Sequence, residues 1–198
     1  MNDIDPKILS QAQHGDEMAF NEIVETFQTP VFNLCYRMLG TAEEAEDAAQ
    51  ESFWRAYNAI QKYDPARSFG TWLLSIAAHY CIDQQRRRRL PVTEMDEIME
   101  ETAADTNIPN PEHAAVENEH QTQIQELLDT LPELDRAAIV LRYWQDYSEE
   151  EISLALNISI SAVKSRLHRA RKKLATVWEN KSTTTSQVER MHNGSPAF

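Results

Sequence analysis

Four glycines and two cysteines in 198 residues leave little room for several common chemistries. No G-x-G-x-x-G or G-x-x-x-x-G-K-S/T segment occurs, which excludes the loops that bring backbone amides close to a dinucleotide or a nucleoside triphosphate. Cys35 and Cys81 stand far apart and outside any C-x-x-C pair, so neither a disulfide framework nor a zinc site is expected and both read as small core residues. His79 and Cys81, two residues apart, do not converge on one helix face. No H-E-x-x-H motif is present, and no His/Asp/Ser constellation emerges at workable spacing, so no metal, no cofactor and no enzymatic activity are expected. The longest apolar runs fall well short of the roughly 20 residues that span a bilayer. The first residues lack a basic stretch leading into an apolar segment, so the expectation is a cytoplasmic protein without membrane insertion. Alternating strand patterns are also missing. The 41% of apolar residues recur with helical periodicity, and the expected fold class is all-α.

Charge is abundant but uneven. The net charge of −13 argues against a nucleic-acid partner only until it is divided along the chain. Residues 1–89 carry 13 acidic and 9 basic side chains, residues 90–135 carry 13 acidic and none basic, and residues 136–198 carry 6 acidic and 10 basic. The middle segment thus holds the whole excess. From Leu90 to about Glu112 it is also punctuated by proline and poor in apolar residues, the composition of a linker unable to bury enough surface to fold alone. Two small helical domains, 1–89 and 112–178, joined by a flexible acidic linker over 90–111, are therefore expected. A disordered Ser/Thr-rich tail over 179–198 is expected to follow.

The second block contains the most informative pattern. Ser148-Glu149-Glu150-Glu151 is a capping box, in which the Ser148 hydroxyl accepts from the third helical N–H and Glu151 reaches back to the Ser148 amide. Ile152, Ala155 and Leu156 give the short helix an inner face. Asn157 tolerates the left-handed conformation that ends it, and Ser159 can cap the next helix. There, Val163, Leu167, Ala170 and Leu174 form one narrow apolar stripe at 3.6 residues per turn. Ser165, His168, Arg169 and Lys172 lie opposite, flanked by Lys164 and Arg171 on one side and Arg166 and Lys173 on the other. Such a basic face also fits a solvated C-terminal helix. The capped partner helix and tight turn favour a DNA-reading helix-turn-helix.

The first block reads as several helices from about Asp5 to Arg89. Gly15 and Gly40 punctuate it, followed by Asp16 and Thr41 as caps, the latter with Glu44 completing a second capping box. Phe20, Ile23, Val24, Phe27, Val31, Leu34, Cys35 and Met38 follow helical spacing, with Pro30 expected to kink that helix or to start a new piece. A further helix is expected over about 43–60. Another is expected from Phe69 to about Arg87, with Phe69, Trp72, Leu73, Ile76 and Tyr80 as its buried stripe.

Taken together, the two blocks resemble the extracytoplasmic-function (ECF) group of bacterial sigma factors, the promoter-specificity subunits of RNA polymerase. The segment from Ala45 through Asp47, Gln50, Glu51, Phe53 and Trp54 to Ala56 resembles the most recognisable stretch of that family. Phe69-Gly70-Thr71-Trp72-Leu73 through Ile82-Asp83 and Arg86 to Arg89 resembles its promoter-opening segment. Leu131-Pro132, the helix to Tyr143, and Val163 to Arg171 resemble its helix-turn-helix. The match covers nearly the whole chain.

The resemblance implies a set of roles. Asp47, Gln50, Glu51 and Phe53 would dock on core RNA polymerase, through the clamp helices of β′, with the β subunit as a further contact. Ala66, Arg67, Ser68 and Phe69 would receive a flipped base of the minus-ten element, His79, Asp83, Arg86 and Arg87 would contact the same promoter DNA, and Trp72 reads as core. Lys164, Ser165, His168 and Arg169 would face bases of the minus-35 element, while Arg166, Arg171 and Lys172 would hold phosphates. An anti-sigma factor is implied as a partner. The acidic linker either mimics nucleic acid in a positively charged channel or serves solubility and extension. Two departures limit the transfer: Ala78-His79 replaces a common Arg-Asn pair, and Ala162 stands where threonine is usual. A stand-alone helix-turn-helix regulator with a sensing or dimerising first block is the competing reading.

Overall fold

The computed structural model describes the backbone of residues 4–89 and 111–192 and the side chains of 4–89 and 120–180. The acidic stretch 90–110 and residues 193–198 lie outside the described residues. Among the described residues the chain is all-α: α1 (Pro6–Gln13), α2 (Glu17–Leu39), α3 (Ala42–Ala59), a 3-10 turn (Ile60–Lys62), α4 (Phe69–Arg89), α5 (Pro111–Asp129), α6 (Glu133–Tyr143), α7 (Glu149–Leu156) and α8 (Ile160–His192).

Local chemistry places most helix ends. Asp5 accepts from the Lys7 amide at 2.8 Å, and Pro6 occupies the first turn of α1, where a missing N–H costs nothing. Asp16 accepts from the amides of Met18 and Ala19, and Gly40, at φ +102°, closes α2 with its N–H on the Tyr36 carbonyl. The Ser148 and Glu151 box is fully formed, at 3.1 and 2.8 Å, and Asn157 adopts the left-handed conformation at φ 52°. Ser159 accepts from the Ala162 amide at 3.2 Å.

Three local expectations are corrected. The Thr41 hydroxyl does accept from the Glu44 amide, but the Glu44 carboxylate takes the Thr41 hydroxyl rather than its N–H, so this box is only half formed. Pro30 does not start a new piece: α2 runs through it, because Phe27, Val31 and Leu34 on either side are buried and hold the helix in place. α8 continues to His192, past the end expected at Trp178, since neither glycine nor proline interrupts the chain before Gly194.

α2, α3 and α4 form the core of the first block. Ile23, Val31, Leu34 and Met38 of α2 and Leu73, Leu74 and Ile82 of α4 are buried in one core, and α3 approaches closely because its inner face is Ala45, Ala48, Ala49, Ser52 and Ala56. Burying each of the larger side chains contributes about 1.5–3 kcal/mol. Cys35 and Cys81 are buried here as free thiols. In the second block Leu128, Leu131, Val140 and Leu141 pack against Ile152, Leu156, Val163 and Leu167.

The two blocks also pack against each other, α4 meeting α6 and α7 while α2 meets α5 and α6. Consequently α4 has no narrow stripe. Thr71, Ala77 and Ala78 are buried in addition to the residues that face α2 and α3, whereas Trp72, Ile76 and Tyr80 are half-buried. A helix covered on two sides needs apolar residues on two sides. Arg136, buried on α6, donates to the Met38 carbonyl at 2.7 Å and pairs with Asp129 at 2.8 Å. Burial lowers the basicity of its guanidinium, and Asp129 opposes that shift. Gln145 donates to the Pro30 carbonyl at 3.2 Å, Arg89 pairs with Glu133 at 2.7 Å, and Arg37 lies over the Trp144 ring at 5.0 Å.

Candidate nucleic-acid interface and docking cleft

Three surfaces gather the residues singled out in the sequence. The first lies between α2 and α3. Asp47 and Gln50 are exposed, Glu51 is half-exposed and paired with Arg55 at 2.7 Å, and Phe53 is half-buried. Phe53 lines a cleft of about 420 Å³ with Val24, Gln28, Phe32, Glu46 and Gln50. An adjoining cleft of about 530 Å³ shares Val24, Gln50 and Phe53 and adds Phe20, Trp54 and Tyr57. Trp54 was missed as a site residue, although it is 61% exposed and stacks on Tyr57 at 6.2 Å. The available signal was its place off the alanine face of α3. The result is an apolar trough with a carboxylate and amide rim.

The second surface is the loop before α4. Ala66, Arg67 and Ser68 are exposed, and Asp64 shapes the loop by accepting from the Ala66 amide through its carboxylate and from the Arg67 amide through its carbonyl, both at 3.0 Å. The Tyr63 hydroxyl donates to the Arg67 carbonyl. Phe69, by contrast, is buried among Phe27, Tyr63 and Trp72 at ring distances of 5.2–5.5 Å, so it forms a floor rather than a wall. Trp72, read as core, is half-buried and faces a cavity. The loop stands between two hollows. One, of about 570 Å³, is shared with Leu9 and Gln13 of α1; the other, of about 220 Å³, is lined by Ala66, Arg67, Ser68, Thr71 and Trp72 and roofed by Glu151 and Leu154 of α7. Neither α1 nor α7 carries a sequence signal for this placement, which depends on long-range packing.

Along α4, His79, Asp83 and Arg86 are exposed on one edge, as their spacing requires. His79 Nδ1 lies 2.7 Å from the Ser75 carbonyl, and Asp83 pairs with Arg86 at 3.8 Å. All four arginines of the run are exposed, but Arg88 also pairs with Glu44 and Arg89 with Glu133, so with Arg86 on Asp83 three of the four are engaged in ion pairs.

The third surface is α8. Val163, Leu167 and Ala170 are buried; Lys164, Ser165, His168, Arg169, Arg171 and Lys172 are exposed. Lys164 pairs with Glu149 at 3.4 Å. Arg166 departs from the others: it is 24% exposed at its side chain and donates through Nη1 to Asp135 Oδ1 at 2.7 Å. Arg169 Nη2 reaches the same oxygen at 3.3 Å. Asp135 was missed because an acidic residue in the first turn of a helix is ordinary.

A helix-turn-helix with an exposed basic face, carried by a two-block all-helical chain whose other block offers an acidic-rimmed trough, fits a DNA-binding transcription factor. Comparison with known proteins agrees. Residues 23–90 match Sigma-70 region 2 and residues 121–174 match Sigma-70 region 4. The ECF RNA polymerase sigma factor SigW of Bacillus subtilis is 39% identical over 85% of this chain and 93% of its own length. The RNA polymerase sigma-H factor of Pseudomonas aeruginosa is 34% identical over 84% of this chain and 90% of that protein. The solved structure of CnrH in complex with the cytosolic domain of CnrY superposes with a TM-score of 0.65, at 25% identity, over 87% of this chain and 96% of that one. The sigma factor RpoE of Bartonella quintana, solved with the anti-sigma factor NepR, shares the fold with a TM-score of 0.63 at 20% identity, over 81% and 96% of the two chains. The chain belongs to the ECF sigma factors. It is an alternative sigma factor that directs promoter-specific transcription initiation.

Proposed function

We propose a division of labour among the three surfaces. The α2–α3 trough docks on core RNA polymerase, with Phe53 and Trp54 as apolar anchors and Asp47, Gln50 and Glu51 as a rim that pairs with basic residues. The loop 66–68, backed by Phe69 and Trp72, receives an unstacked base of the minus-ten element, and His79, Asp83, Arg86 and Arg87 hold the adjoining strand. The α8 face reads the minus-35 element through Lys164, Ser165, His168 and Arg169, with Arg171 and Lys172 on phosphates. Arg166 serves as support for that face rather than as a phosphate contact. An anti-sigma factor is a further partner, and the protein works in the cytoplasm without catalytic chemistry of its own. The observation that carries this reading is the exposure, on one chain, of an acidic-rimmed apolar trough and a basic recognition helix, two surfaces of opposite charge suited to two partners at once.

Run-off transcription over fragmented genomic DNA, with bacterial core polymerase in the presence and absence of the protein, tests it. New transcripts that begin downstream of a shared pair of elements are expected, and Phe53→Ala with Glu51→Lys is expected to remove them without changing the fold. Specific duplex protection by the free chain, with no new transcripts, would instead establish a stand-alone regulator.

A further inference from the structure

Asp135 is a costly residue in a costly place. It is 4% exposed, at the third residue of α6, beside the basic face of α8 proposed to meet polyanionic DNA. Burial removes a carboxylate from water, and its charge repels phosphate. What it gains is two charged partners: its Oδ1 accepts from Arg166 at 2.7 Å and from Arg169 at 3.3 Å. The two arginines differ. Arg166 is mostly buried and is gripped at short range, so it acts as an inner strut. Arg169 remains 58% exposed at its side chain and is held by one corner of its guanidinium. It shares a face with Ser165, His168 and Lys172, at i, i+3, i+4 and i+7.

We infer that Asp135 is a positioning residue for minus-35 discrimination, fixing the Arg169 fork before DNA arrives. The inference rests on the reading that α8 meets the minus-35 element. Two physical consequences follow from a shared carboxylate. An arginine held at one corner has already lost much of the rotamer freedom that recognition of a base edge consumes, so its remaining donors are preorganised. The trio of Asp135, Arg166 and Arg169 also presents one net positive charge instead of two, which weakens attraction to phosphate at any sequence. Asp135 therefore lowers indiscriminate affinity and raises discrimination.

The test uses holoenzyme on a promoter recovered by the genomic run-off experiment, together with every single base-pair substitution of its minus-35 element, at several salt concentrations. Arg169→Ala is expected to lose discrimination at one base pair. Asp135→Asn is expected to lose at least about fivefold at that same pair and to steepen the salt dependence by about 0.9 in log–log slope, as a freed arginine takes up one phosphate. The double variant should match Arg169→Ala alone. Asp135→Glu retains the pairing to Arg166 and displaces the oxygen by one methylene, so it guards against loss of fold; it should lose part of the discrimination at that pair with the slope unchanged. Additive losses in the double variant, equal losses at all base pairs, or intact discrimination in both Asp135 variants beside a defective Arg169→Ala would overturn the role of Asp135. A discriminating Arg169→Ala would overturn instead the reading of Arg169 as a base contact, and the role of Asp135 with it.

Discussion

α3 and α8 are built on one plan with the sign of the charge reversed. Each buries a stripe of small or aliphatic residues, Ala45, Ala48, Ala49, Ser52 and Ala56 in α3 and Val163, Leu167 and Ala170 in α8. Each turns charge outward, Glu43, Glu46 and Asp47 in one case and Lys164, Arg169, Arg171 and Lys172 in the other. Packing is therefore solved similarly, and partner class is read from charge and from what stands beside it. α3 adds exposed aromatic surface in Trp54 beside its acidic residues, which suits a protein partner. The face of α8 formed by Ser165, His168, Arg169 and Lys172 is polar, its exposed Ile160 and Trp178 lying toward the ends of that stretch, which suits a hydrated groove.

Breaking the stripes should have the largest effects. Leu167→Ala empties a buried site at the foot of α8 and is expected to cost about 2–5 kcal/mol in chemical denaturation. Ala48→Leu makes the opposite error in α3: a larger side chain forced against α2 and α4 should cost about 1–3 kcal/mol in the same measurement. Removing a cap is smaller. Ser148→Ala should destabilise by about 1 kcal/mol, because the Glu151 amide at 3.1 Å loses its acceptor. Changing only the outward charges sharpens the contrast. Glu51→Lys should weaken core-polymerase affinity about tenfold, chiefly by slowing association. Lys172→Ala should leave sequence preference intact and reduce the salt slope of promoter binding by about 0.9. If Glu51→Lys altered promoter preference, or Lys172→Ala altered polymerase affinity, the assignment of partners by charge would fail.

What was legible in the sequence was mostly local. The Ser148 and Glu151 box, the left-handed Asn157, and the end of α6 at Tyr143 follow from residues within one or two turns of one another. The exposed basic face of α8 was legible from its spacing, Arg166 excepted. The fold class followed from periodicity, and the family from motifs spread across both blocks. What escaped notice depended on distant partners. The broad burial of α4 follows from α6 and α7 lying against it, and the roof of Glu151 and Leu154 over the loop 66–68 follows from the same packing. Arg166 looked like an outward cation because a helical wheel does not show Asp135, 31 residues earlier in the chain. Thr41 and Glu44 matched the box pattern, yet Glu44 also pairs with Arg88 at the far end of α4, a competitor no local motif reveals.

The placement of Trp144 beneath Arg37 has an optical consequence. Its indole stands at 38% exposure on the second block, capped by a guanidinium of the first. Separation of the blocks would hand that ring to water and shift its emission to longer wavelength, while the stacked Trp54 on α3 would be left in place. Difference spectra between the native chain and Trp144→Phe would isolate this one signal. The chain thus carries, in its own aromatic residues, a reporter of whether its halves are joined.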